Sequence, residues 1–151
     1  METAKYEKMV ERSYRIFEKG NFDELDEIYD QDVIEHTPDL NIHSDKKGIE
    51  YAKEVMRTYY QAFPICTFDI KEIFVKGDKA ISYVTVKAKN TGEFNGMPPT
   101  HKEVTMDMCE MFRFKDGKIS EHWQIMDNLA FMFQLGLLTD EDIQRKMEES
   151  H

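Results

Sequence analysis

The hydrophobic period of this chain changes once, at Pro64, and that change constrains the fold more than any other feature. Before Pro64 the spacing is helical. Tyr6, Met9, Val10, Ser13 and Phe17 share one face of a first helix, which Gly20-Asn21 ends. Residues 22–29 read as a second, short helix, and residues 33–37 as a short β-like segment that stops before Pro38. Residues 38–47 are polar and read as a loop. Ile49, Ala52, Val55, Met56 and Tyr59 then mark one face of a helix over residues 49–63. After Pro64 the period becomes two, and residues 67–75, 80–89, 103–114 and 118–127 read as strands. Lys76-Gly77-Asp78-Lys79 turns the first pair, and residues 92–100 form a loop around Gly-Met-Pro-Pro. A helical stretch begins near Leu129, and Thr139-Asp140-Glu141-Asp142 has the residues of a capped start to a last helix. Helices followed by strands predict an α+β class with a mostly antiparallel sheet. No linker divides the chain, so residues 1–151 read as one domain.

Composition narrows the partners. The net charge of −10 argues against nucleic acid and anionic membrane, which both call for a basic face. No apolar run approaches the ~18 residues of a membrane span. The charged N-terminal stretch has no apolar core of a signal peptide, so a cytoplasmic protein is expected. Cys66 and Cys109 lack metal or disulfide spacing and read as reduced cysteines in the interior. No HxxxH-like pattern is present, so no metal site is expected.

The last hairpin decides which side chains share a face. Lys115-Asp116-Gly117 reads as a three-residue loop with a bulge at Gly117, which pairs Phe114 with Lys118, Phe112 with Ser120, Glu110 with His122 and Met108 with Gln124. Cys109, Met111, Ile119, Trp123 and Ile125 then lie on the other face. A two-residue Asp-Gly turn is the alternative, and would pair His122 with Met111. Both faces are partly apolar, so a homodimer through the Trp123 face is expected, unless the C-terminal segment folds over it.

The strings Thr91-Gly92-Glu93-Phe94-Asn95-Gly96-Met97-Pro98-Pro99-Thr100, Phe112-Arg113-Phe114-Lys115-Asp116-Gly117-Lys118-Ile119 and Glu121-His122-Trp123 resemble the SnoaL-like polyketide cyclase family. Val33-Ile34-Glu35-His36 fits the same pattern. The resemblance runs over about residues 6–136, leaving residues 137–151 as a C-terminal helical extension. It implies the nuclear transport factor 2-like cone, a curved antiparallel sheet wrapped around N-terminal helices with an internal pocket. Family cyclases use an aspartate in a His-Trp-Asp string on the last strand; here that string is His122-Trp123-Gln124. Tyr83 stands where many relatives carry Arg, and Asn90 where they carry His.

The resemblance implies cofactor-free acid/base chemistry on a small hydrophobic carbonyl compound: aldol cyclisation, isomerisation or dehydration. Because Gln124 cannot titrate, a non-catalytic small-molecule-binding dimer stands beside that reading. If the chain is an enzyme, His36, Glu110 and His122 are the candidate catalytic groups, with His36 as base. A Glu110–His122 pair also fits a purely structural contact. Tyr14, Tyr59, Tyr83, Asn90, Phe112, Gln124 and Met126 are the expected ligand-binding residues. His43, His101 and His151 are expected in solvent.

Overall fold

The computed structural model describes residues 2–150. Its helices come first: α1 (Glu2–Lys19), a 3₁₀ segment (Phe22–Glu27), and, after the strand β1 (Tyr29–Glu35), α2 (Gly48–Ala62). The four later strands are β2 (Cys66–Lys76), β3 (Lys79–Lys89), β4 (Glu103–Lys115) and β5 (Lys118–Met126). Tyr29, expected at the end of a helix, opens β1 instead. Gly20 ends α1 at φ 74°, and a Cβ there would meet the Tyr60 ring at 2.7 Å, so a side chain is excluded twice over.

The strands form one five-stranded sheet in the order β1-β5-β4-β3-β2. β1 runs parallel to β5, and every other pairing is antiparallel. The sheet is curved and unclosed, and α1 and α2 fill its concave side. Val10, Ile16, Leu25, Ile49, Val84, Phe112 and Ile119 are fully buried between them. Each such side chain contributes about 1.5–3 kcal/mol over its exposed state.

Neither expected hairpin register is the one observed. Lys115 pairs with Lys118 across a two-residue turn, with Asp116 at φ 52° and Gly117 at φ 77°. Phe114 pairs with Ile119, and the register then shifts, so that Arg113 pairs with Glu121 and Phe112 with His122. Ser120 is the extra residue, and its hydroxyl donates to the Arg113 carbonyl at 3.2 Å. The bulge flips the parity of everything before it on β5. Ile119, expected on the outer face, is fully buried. Glu110 stands opposite Gln124, and Met108 opposite Met126. His122 keeps its expected face and is a diagonal neighbour of Glu110.

The C-terminal segment does not cover the Trp123 face. α3 (Asn128–Gln134) instead closes the end of the sheet, where Phe131 and Leu135 pack with Phe63, Phe94 and Val104 in a second core. The Gln134 carboxamide accepts from the Thr105 N–H at 2.7 Å and donates to its carbonyl at 2.9 Å, taking the place of a neighbouring strand. α4 (Asp140–Glu149) starts at the expected cap: Thr139 and Asp142 bond reciprocally as a capping box. No α4 side chain is buried. Among the described residues, no helix is long and apolar enough to cross a membrane.

Candidate active site

Alternation along β1 decides which of its polar side chains enter the concave side. Val33 is buried there, so Glu35 follows it inward while Ile34 and His36 point outward. The parallel pairing sets Glu35 beside His122 on β5, and the His36 N–H extends it by donating to the His122 carbonyl at 2.9 Å. Glu110 reaches the same imidazole from β4. His122 Nε2 lies 2.8 Å from Glu110 Oε1, and Nδ1 bonds Glu35 Oε2. A carboxylate on each ring nitrogen requires a proton on both. Burial pushes the His122 pKa down, but the Glu110 and Glu35 hydrogen bonds and charges outweigh it and raise the value to about 10. The group is therefore a Glu35–imidazolium–Glu110 trio.

The two carboxyls are held differently. Glu35 Oε1 accepts from the Thr37 N–H at 2.9 Å and the Thr37 hydroxyl at 2.8 Å, and Oε2 faces His122, so both oxygens are committed. Glu110 holds His122 through Oε1, and its carboxyl also has the Tyr14 hydroxyl within reach. Tyr14 stands beside it, its hydroxyl 2.6 Å from Ser82 Oγ. Burial first, then the charge of Glu110, holds the Tyr14 phenol well above its ordinary pKa. Burial, Glu110 and Glu35 do the same for Tyr29.

These groups form one end of a cavity of about 150 Å³ between α2 and the concave face. Val55, Met56, Phe63, Phe68, Met106 and Met108 supply its apolar wall. The same cavity reaches a second polar group, Asp39, Tyr51 and Tyr59. Tyr59 donates to both Asp39 carboxyl oxygens at 3.0 and 2.8 Å. Three carboxyls line the cavity, and no Lys or Arg is among its lining residues. Among the described residues, no group of His, Cys, Asp and Glu is placed to hold a metal ion.

The structure brings together Glu110, His122, Tyr14, Tyr59, Gln124 and Met126 around this cavity. It separates four other residues from it. His36 lies on the outer face, stacked on Trp123 at 4.3 Å between ring centroids, with Nε2 2.8 Å from Glu121 Oε1. Tyr83 is also on the outer face, bonded to Asp107. Asn90 is buried but structural: its Nδ2 donates to the carbonyls of Ala62 and Gly92, and its Oδ1 accepts from Thr100, which pins the loop after β3. Phe112 is fully buried core beneath His122, with ring centroids 5.2 Å apart. Cys66 is buried against the cavity, whereas Cys109 is only partly buried, on the outer face.

Sequence reading passed over Glu35, Asp39, Tyr29 and Tyr51. A signal for Glu35 was present: it is two residues from Val33, so a β1 that buries Val33 buries Glu35. Asp39 and Tyr51 meet only through the loop after β1, and no local pattern announces that contact.

Known proteins share this fold. Nogalonic acid methyl ester cyclase from Streptomyces nogalater is 26% identical over 122 residues, covering 80% of this chain and 89% of that protein. The structure of IdmH from Streptomyces antibioticus superposes with a TM-score of 0.75 at 28% identity, over 86% of this chain and 97% of that one. TsrD from Streptomyces laurentii shares the fold with a TM-score of 0.79 at 23% identity, covering 89% and 97%. The pattern of the SnoaL-like polyketide cyclases matches residues 7–135, which contain every strand, α2, most of α1 and the whole trio. The chain belongs to the SnoaL-like polyketide cyclase family.

Proposed function

We propose that this chain is an acid/base enzyme that moves a proton on an uncharged hydrophobic carbonyl compound, with its own side chains as acid and base. The observation that carries the reading is Glu110. Its carboxyl lines an apolar cavity beside the Tyr14 hydroxyl, with Oε1 held by a buried imidazolium that Glu35 anchors. Glu110 Oε2 takes the proton from the carbon beside the carbonyl. The electron pair of that C–H bond moves to the carbonyl oxygen, and the protonated phenols of Tyr14 and Tyr29 are the donors available to it. The enolate carbon then attacks a second carbonyl, whose oxygen takes up the π electrons and then the proton held by Glu110, or Glu110 returns the proton at another carbon; the outcomes are cyclisation and isomerisation. This assignment moves the base from His36, on the outer face, to Glu110. Carboxyls without Lys or Arg in the cavity wall favour an ester over a free acid. The similar Streptomyces nogalater protein is named as the cyclase of a methyl ester.

Gln124 supports the second reading, a binding protein without turnover. It faces the cavity at the strand position where the family pattern has Asp, and its Nε2 donates to Met108 Sδ at 2.9 Å. One experiment separates the two. An acetoacetate ester bearing a phenylethyl chain is incubated with protein in deuterated buffer near pD 6, and exchange of its α-protons is followed by NMR. The enzyme reading expects accelerated exchange, with Glu110→Gln losing about 10²–10⁴ of it. Thermal stabilisation by the ester without acceleration overturns that reading in favour of binding.

The protein is further proposed to be cytoplasmic and a homodimer. Ile81, Tyr83 and Ile125 are exposed on the outer sheet face around the His36–Trp123 stack, Ile125 to 75%. A second copy covering that face leaves the cavity, on the opposite side of the sheet, untouched.

A further inference from the structure

The cavity has a second polar end that the proton-transfer reading does not use. Asp39 and Asn41 lie in the loop between β1 and α2, and Tyr51 and Tyr59 project from α2. The Asp39 N–H donates to the Tyr51 hydroxyl at 2.8 Å, and the Asn41 N–H donates to Asp39 Oδ1 at 2.8 Å. The Tyr59 hydroxyl donates to Asp39 and accepts from Asn41 Nδ2 at 3.1 Å. Asn41 Nδ2 also donates to Asn128 Oδ1 at 2.8 Å, which ties this loop to the start of α3.

Counting donors and acceptors shows what is left over. Tyr59 has donated its proton and filled a lone pair. Tyr51 has accepted one bond, but its own O–H finds no acceptor among the described residues. Asp39 Oδ1 takes two donors, whereas Oδ2 takes only Tyr59 and keeps acceptor capacity. An unused donor and an unused acceptor therefore stand side by side on the cavity wall. A ligand hydroxyl matches both, donating to Asp39 Oδ2 and accepting from Tyr51. An ammonium leaves the Tyr51 proton without a partner, and a carboxylate meets Asp39 as a like charge.

We propose that Asp39 and Tyr51 form a hydroxyl-recognition subsite, so that the ligand of this cavity is a hydrophobic carbonyl compound carrying an alcohol or phenol at the end remote from Glu110. The assignment rests on the reading of the cavity as the substrate site. Tyr51 stays a donor at neutral pH, because burial and then the charges of Asp39, Glu35 and Glu54 raise its pKa against the lowering effect of the Asp39 N–H. Tyr51 and Asp39 are thus specificity residues, separate from the proton-transfer step.

Two probes test it: the phenylethyl acetoacetate ester and its para-hydroxyphenyl counterpart, with affinities measured by calorimetry. The native protein is expected to bind the hydroxylated ester about 10- to 100-fold more tightly. Tyr51→Phe and Asp39→Asn are each expected to shrink that preference to roughly twofold to fivefold. Having two variants keeps the test valid if one of them fails to fold. Equal affinity of the native protein for both esters overturns the subsite and leaves the cavity reading intact. Failure of both esters to bind overturns both. A preference that survives in either folded variant overturns the assignment to these residues.

Discussion

Two histidines of this protein sit on opposite faces of one sheet, on paired strands, each with a carboxylate on a ring nitrogen. His122 faces inward, is 8% exposed, and has Glu35 on one nitrogen and Glu110 on the other. His36 faces outward, stacks on Trp123, and shares Glu121 with Arg113, whose Nη1 lies 3.2 Å from the second Glu121 oxygen. Inside, the low dielectric turns the ion group into one tightly coupled unit. Outside, Glu121 is held below its usual pKa by the His36 hydrogen bond and then by the Arg113 charge, in a setting that water and salt can screen. The same residue pair is thus a buried ion group on one face and a surface contact on the other.

Removing the corresponding carboxylate from each face breaks the comparison most sharply. Glu110→Gln is expected to cost about 10²–10⁴ in α-proton exchange, the share of a general base. Glu121→Gln on the outer face is expected to leave the rate within about twofold. Equal losses in the two variants contradict the assignment of the base to the inner face.

The second contrast is pH dependence. The His122 pKa is raised in the fold from about 6.5 to about 10. The stabilisation from its charged form is therefore complete below pH 6.5 and is lost as pH rises toward 10. At pH 6, His122→Gln is expected to cost about 3–5 kcal/mol in urea unfolding, because two partly buried carboxyls lose their cation. That gap from the native protein narrows steadily between pH 6.5 and 10. A pH-independent gap indicates that His122 is neutral in the fold. His36→Ala, tested in the same way, is expected to change stability by less than about 1 kcal/mol.

The contrast also explains what could be read from the sequence. The switch of period at Pro64 and the capped helix at Thr139 are local signals, and the elements they announce are present. The inward pairing of Glu110 with His122 was legible because parity survives: a two-residue turn at Asp116-Gly117 and a bulge at Ser120 together leave both on the concave face. The register itself was not legible, because a bulge depends on how the strand packs across the sheet. The resemblance points to His36 for the pocket, because it follows the short segment that carries the catalytic carboxylate in similar isomerases. Its parity relative to Val33 places it outside, and there Trp123 offers a ring to stack on. The Asp39–Tyr51 contact joins a loop to a helix and leaves no periodic trace.

A third test separates the faces by association. If the outer face meets a second copy, Ile125→Asp is expected to weaken the dimer by about tenfold or more in analytical ultracentrifugation, by burying an unpaired charge in the interface. The α-proton exchange rate per chain is expected to stay unchanged, because the cavity lies on the other side. A native protein that is monomeric at micromolar concentration contradicts the dimer.

The smallest expected effect tests how finely the inner face is tuned. Gln124 stands directly opposite Glu110 across the β4–β5 pair, so Gln124→Asp sets two carboxyls face to face in the cavity. Directly opposed side chains in a sheet approach to about 5 Å at Cβ. A further carboxylate beside the trio raises the proton affinity of its neighbours. The pH–rate profile of α-proton exchange is therefore expected to shift its acid limb upward by about one pH unit, with less than a tenfold change in rate at the optimum. The variant also places an acid/base group at the position where the resemblance to family cyclases implies an Asp. It should therefore retain activity when combined with Glu110→Gln, recovering part of what that substitution loses. An inactive double variant shows that the group at position 124 cannot reach the reacting carbon. That outcome would leave Glu110 as the only base this cavity can use, and would account for a neutral glutamine at the end of β5.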